Sequence, residues 1–174
     1  MSDLMKWFDR SFSSDLPIWM FPNIVERLRG TPAALEDRVG ELSPEALIRR
    51  DGDRWSIQEQ TGHLLDLEPL WMSRVEEFLT GRETLQSADL TNRKTHEANH
   101  NERQLADILS EFRRARLALV SRLDTFDEEI IARTALHPRL GTPMRVLDHA
   151  LFVAEHDMHH FTRITELIRR FEEP

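Results

Sequence analysis

The chain of 174 residues has no cysteine. Disulfides, thiolate nucleophiles, Cys-ligated zinc and iron–sulfur clusters are therefore excluded, and any metal must be held by His, Asp or Glu. Glycine is scarce, at 6 residues, and no run of alternating β-branched residues reads as a strand. A basic excess is missing too. Asp and Glu outnumber Lys and Arg by 31 to 23, a net charge of −8, which argues against the cationic footprint that a nucleic-acid partner requires. The longest charge-free apolar stretch, Leu16 to Val25, is broken by Pro17 and Pro22 and is too short to span a bilayer. The opening residues mix charges with apolar side chains and show no signal-peptide core, so a cytoplasmic protein is expected.

What is present reads as an ordinary globular domain: 40% hydrophobic and 31% charged residues, without repeats or low-complexity tracts. One domain over residues 1–174 is expected, with 1–20 as an N-terminal helical extension. The apolar spacing is helical nearly everywhere. A first helix is expected from Pro17 or Pro22 to Arg29, ended by Gly30, with a restart at Thr31–Pro32 in the favoured cap-then-proline order. Ser43–Pro44 offers the same start for a short helix. Ser56 and Glu59 form a capping box for the second long helix, whose stripe (Ile57, Leu64, Leu67, Trp71, Val75, Phe78) runs to Gly81. Pro69 should kink it. From Arg82 to about Asn101 the chain is polar and aperiodic, a length of loop that is often functional. A third helix carries Leu105, Ile108, Phe112, Leu119 and Leu123. A last helix, capped by Thr142–Pro143, runs to about Arg170. Four long helices with two extended connections bury their stripes most economically as an all-α four-helix bundle.

The 8 histidines divide on a helical wheel. His156 and His160 sit four residues apart at the edge of the last helix's apolar arc, so both imidazoles project from one face, about 5–6 Å apart at Cβ. His63 holds the equivalent edge of the second helix. Three imidazoles from two facing helices would make a metal site with three protein ligands and one open position, an arrangement suited to catalysis. The alternative is that the HxxxH pair decorates a surface. Each helix also buries an acid: Glu68 is expected in a structural pair with Arg or Trp. Asp157 is expected either in such a pair or as a partner or proton acceptor beside an imidazole. His96-Glu97-Ala98-Asn99-His100 formally matches the zincin HExxH motif. Its flanks carry no apolar stripe, so a polar loop is expected, with His100 and Asn99 as remote contributors to a substrate site. His149 and His159 are expected at the surface, as is the Arg113-Arg114-Arg116 cluster. Trp7, Phe8, Trp19 and Phe21 are candidates for a dimer surface.

Trp55-Ser56-Ile57, then Gly62-His63-Leu64-Leu65-Asp66-Leu67-Glu68, then Ala154-Glu155-His156-Asp157-Met158-His159-His160 resemble the DinB/YfiT-like superfamily of metalloenzymes, over about Phe21 to Arg170. The resemblance implies a bundle of up-down-down-up connectivity, commonly a homodimer. It also implies a metal triad of His63, His156 and His160 holding zinc, nickel or another divalent ion. The activities it implies are metal-dependent hydrolysis of a small molecule or S-transfer with a low-molecular-weight thiol, with a non-catalytic, stress-induced metal-binding dimer as the alternative. Phe152 stands where many relatives have a further histidine, and Phe161-Thr162-Arg163 where many have a Gly-Gln pair.

Overall fold

The computed structural model describes residues 5–12 and 15–172, so part of the expected 1–20 extension lies outside the described residues. Four long helices dominate: α1 (Phe21–Val39), α3 (Ile57–Leu79), α5 (Leu105–Leu123) and α7 (Val146–Glu172). Short helices α2 (Pro44–Ile48), α4 (Arg93–Glu97) and α6 (Glu128–Ile131) lie in the connections. Two expected caps are in place. Ser43 Oγ accepts from the Ala46 N–H, and Ser56 and Glu59 close a reciprocal capping box.

Cross-helix polar pairs fix the directions. α1 and α7 run parallel, since Arg27 meets Glu155, Thr31 meets Asp157 and Arg38 meets Thr165. α5 runs against α1, with Arg29 on Asp124 and Arg113 on Glu36. α3 and α5 are parallel: Gln58 reaches the Arg103 carbonyl, Arg116 reaches Glu68 and Arg122 reaches Glu76. α3 runs against α7, with Gln60 on His160 and Trp71 beside His149. The order is up-down-down-up, with α1 packed mainly on α5 and α7, and α3 likewise on α5 and α7. Parallel neighbours α3 and α5 force the chain back along the bundle, because a helix of 23 residues is about 34 Å long. Residues 80–104 make that return.

Two local expectations change. α1 does not stop at Gly30 but continues through Pro32 to Val39. Thr31 Oγ1 bonds the Arg27 carbonyl one turn back at 3.0 Å, and Thr31, Pro32 and Leu35 are buried; packing outweighs the local stop signal. α3 runs from Ile57 through Pro69 to Leu79, the span its apolar stripe predicts. A small hairpin, β1 (Thr134–Leu136) and β2 (Pro143–Arg145), appears where no strand was expected. Its turn needs Gly141 at φ 66°, a conformation that a Cβ disfavours. Thr142–Pro143 therefore belongs to the hairpin, and α7 begins at Val146, where Asp148 binds the Arg145 N–H and guanidinium.

The core forms two apolar clusters. One is centred on Leu28, Trp71, Val120 and Val153, the other on Leu35, Ile57, Phe112 and Ile164. No described helix is long and apolar enough to cross a membrane.

Candidate metal centre

Two polar groupings occupy the middle of the bundle. In the first, Arg116 of α5 is fully buried and binds Glu68 of α3 and Asp157 of α7, with 2.6 Å from Nη2 to Glu68 Oε1 and 3.0 Å from Nη2 to Asp157 Oδ1. Thr31 donates to Asp157 Oδ2 at 3.3 Å. This corrects one expectation and bears on another. Arg116 is no surface residue, and the oxygens of Asp157 are committed to Arg116 and Thr31, with no imidazole among its hydrogen-bond partners. Of the two expectations for Asp157, its contacts match the ion pair, and Glu68 is paired with Arg as expected. Burial pushes the Glu68 carboxyl up to about 7 against the opposing pull of Arg116.

The second grouping joins His63 of α3 to His156 and His160 of α7. All three are buried, and one ring nitrogen from each lies within 4.8 Å of the other two. His156 Nε2 and His160 Nε2 are 3.2 Å apart. Two nitrogens on a tetrahedral zinc ion, each at about 2.05 Å, would be about 3.3 Å apart. The pair thus already has a ligand spacing. Two of the far ring nitrogens are held by neighbours: His63 Nδ1 meets Thr95 Oγ1 at 2.9 Å, and His160 Nδ1 meets Gln60 Oε1 at 2.6 Å, while His156 Nδ1 is buried with no hydrogen-bond partner among the described residues. An amide oxygen can only accept, so Nδ1 of His160 carries the proton and its Nε2 presents a lone pair inward. Burial above all pushes His63 down to about 4 and drives His156 and His160 well below the usual imidazole range. Neutral imidazole is the form that ligates metal. The donor set of three imidazoles fits a divalent transition-metal ion.

The outer support was not foreseen. Thr95 hydrogen-bonds Asp66, and His100 Nε2 donates to Asp66 Oδ2 at 2.8 Å. Burial raises the Asp66 carboxyl, but the bonds from His100 and Thr95 outweigh it and hold the group below its usual range. His100 is therefore a buried scaffold residue two steps from His63, whereas His96 and Glu97 are exposed on α4. The HExxH match is formal, as expected. His100 packs so closely on α3 that a Cβ on Gly62 would collide with its ring. That glycine, next to His63 inside a helix, was the available sequence signal of a close approach.

The imidazoles open into a cavity of about 370 Å³ lined by Trp7, Trp55, Gln60, Leu67, Trp71 and Phe152 among others. Residues Ser87 to Leu90 and Asn92 of the long connection form part of its wall. Trp7 lies 5.1 Å, centroid to centroid, from both His156 and Phe152, and 5.7 Å from His159. This cover explains why His159 is buried rather than exposed. His149 is buried as well, against Trp71 and Phe78. Of the aromatic candidates for a dimer surface, Phe8 and Trp19 are exposed, Trp7 covers the imidazoles and Phe21 is in the core.

Comparison with known proteins agrees with this architecture. YfiT from Bacillus subtilis, described as a probable metal-dependent hydrolase with an unusual four-helix bundle topology, superposes with a TM-score of 0.81 at 20% identity, covering 93% of each chain. The mycothiol-dependent maleylpyruvate isomerase gives a TM-score of 0.66 at 14% identity, over 95% of this chain and 70% of the other. At such identities the likeness is one of fold. No curated protein matches significantly. Residues 27–164, which span all four long helices and all three imidazoles, match the family model of the DinB superfamily, and the chain belongs to that superfamily.

Proposed function

We propose that the chain is a metal-dependent enzyme acting on a small molecule, with His63, His156 and His160 as ligands of one divalent ion. The observation that carries this reading is three buried, neutral imidazoles converging within 4.8 Å at the wall of an open cavity. An ion held there would lower the pKa of a water or thiol entering its open position and supply a nucleophile at neutral pH. The chain's own groups prepare the site. Thr95 and Gln60 orient the rings of His63 and His160, while Trp7 and Trp55 limit water around the imidazoles. His159 lines the cavity with its ring 5.2 Å from that of His160. Burial foremost lowers it to about 4, so it is neutral at pH 7 and replaces Asp157 as the candidate proton acceptor.

Hydrolysis and S-transfer both suit this site. The chain has no cysteine, so a thiol would come from a low-molecular-weight cofactor. The cavity over the imidazoles supports an enzyme over a non-catalytic metal-binding bundle, which needs no such space. The exposed Phe8 and Trp19 are offered as part of a homodimer surface. Elemental analysis of untagged protein tests the core of the reading. About one divalent ion per chain is expected, and its loss in both His63→Ala and His156→Ala. No metal after reconstitution with zinc, nickel and manganese would overturn it.

A further inference from the structure

The cavity has a second, differently charged end. Arg74 lies three turns beyond His63 on α3, about 16 Å of axial rise, and its side chain leans back toward the helix N-terminus. His137 and Arg139, from the turn between β1 and β2, line the cavity with it. Aromatic rings stand between the ends. Trp71 is 5.5 Å from His156 on one side and 5.6 Å from the Arg74 guanidinium carbon on the other, and Phe152 is 5.1 Å from His137.

This end has too many donors. Arg74 is 1% exposed. Its Nε donates to the Gln86 carbonyl at 3.0 Å, and its Nη1 faces His137 Nε2 at 3.3 Å. His137 Nδ1 already meets the Leu140 N–H at 3.2 Å. A neutral imidazole accepts only one hydrogen bond in its plane, so either Leu140 or Arg74 points a donor at a donor. Arg139 Nη2 is buried without a hydrogen-bond partner. Among the described residues, no carboxylate forms an ion pair with Arg74 or Arg139. Asp89 rims the cavity, but its oxygens take Thr91 and the Arg93 N–H. Glu77 accepts from the Gln86 N–H and faces Arg82. Burial, then the neighbouring guanidiniums, lowers His137 to about 4, and burial lowers Arg74 to about 10. A fully buried guanidinium such as Arg74, which has no ion-paired carboxylate and only the more distant charge of Glu77 to oppose burial, is costly unless something supplies an acceptor.

We propose that Arg74 and Arg139 form an anion subsite, and that the molecule this cavity takes carries a carboxylate at that end and an apolar body against Trp71 and Phe152. The placement of the reacting group at the imidazoles rests on the metal-enzyme reading; the subsite itself does not. Guanidinium forks match a carboxylate bidentately, and the missing acceptor is what such a ligand brings.

The test is calorimetric titration of metal-stripped protein with 3-phenylpropionate and with its neutral amide, at low ionic strength. The carboxylate should bind at least about tenfold more tightly than the amide. Arg74→Met and Arg139→Met should each remove that preference, and His63→Ala should keep it. Arg139→Met, at a surface turn, covers the case in which Arg74→Met does not fold. Equal binding of acid and amide, unchanged binding in Arg139→Met, or no binding of the acid would overturn the subsite. Binding seen only with metal and lost in His63→Ala would place the anion on the ion, overturning the subsite while leaving the metal reading intact. Arginine-dependent binding in a protein that never takes up metal would do the reverse.

Discussion

The bundle buries two polar groupings at its middle, and they are opposites. Around Arg116, positive and negative charges meet inside the protein, with both Asp157 oxygens and one Glu68 oxygen bonded. Around His63, His156 and His160, three lone-pair donors of one kind face each other and a cavity. Both groupings cost desolvation, but only the first recovers it within the chain. A buried polar cluster whose charges answer one another, as here with only Glu68 Oε2 unbonded, is architecture. One whose donors converge at the wall of a cavity is arranged as the proposed metal site requires.

Breaking the closed grouping should have the largest effect. Arg116→Met leaves Glu68 and Asp157 buried without their cation and should cost about 3–5 kcal/mol in urea unfolding. Adding Glu68→Gln and Asp157→Asn should recover most of that loss, since no charge then remains uncompensated. If the single variant were as stable as the parent, the ion pairs would not hold the two apolar clusters together.

Gly62→Ala strikes the outer support of the open grouping. The new methyl must displace the His100 ring, with an expected cost of about 1–3 kcal/mol. The same variant should weaken metal binding through Asp66 and Thr95, which a competitive chelator titration would detect. Unaltered affinity would detach His100 from the site.

Acid separates the two groupings by sign. Imidazoles lowered in the folded state lose stability as pH falls below their unfolded value near 6.5, because the unfolded chain gains protons first. Glu68, raised to about 7, acts oppositely: its contribution is full below about 4.5 and fades as pH rises through 7. Six imidazoles are lowered (His63, His137, His149, His156, His159 and His160) against this one raised carboxyl, so metal-free protein should weaken steeply from pH 6.5 to 5. Burial lowers His149 to about 3, which alone corresponds to about 2 kcal/mol at pH 5. His149→Phe should flatten the urea midpoint profile over that range, and an unchanged slope would count against the burial argument.

The smallest effect is the most local. Thr95→Val removes the hydroxyl beside His63 Nδ1 without removing a ligand, and should weaken zinc affinity by about tenfold. Its thermal midpoint without metal should change little. A loss of folding without a loss of affinity would reassign Thr95 to the scaffold.

Much of the open grouping was legible because helical periodicity fixes direction. The four-residue step from His156 to His160 and the matching edge position of His63 suffice to bring three rings to one face. The closed grouping was legible only in part. Glu68 and Asp157 stood out as acids in apolar arcs, but Arg116 was grouped with Arg113 and Arg114. It sits four residues after Phe112 and three before Leu119, a gap in the stripe that only a basic side chain fills. Tertiary cover was invisible. Trp7 over His159, and Trp71 and Phe78 over His149, come from segments whose docking no local pattern reports. For the same reason the stop at Gly30 failed: Thr31 is held by its partners on α7 as well as by its own turn.

The return of residues 80–104 along the bundle follows from the parallel pairing of α3 with α5, yet it delivers Thr95 to His63 and Ser87 to Leu90 to the cavity wall. Topology thus supplies, beside a fixed set of imidazoles, a stretch of exposed backbone that carries little of the core. The exposed Ser87, Asp89 and Leu90 can be exchanged with small effect on the helices, unlike the buried Leu85, Thr95 and His100. On the proposed reading the three ligands therefore sit on helices while part of the wall that a substrate meets sits on a connection, so that wall can be varied without changing the ligands.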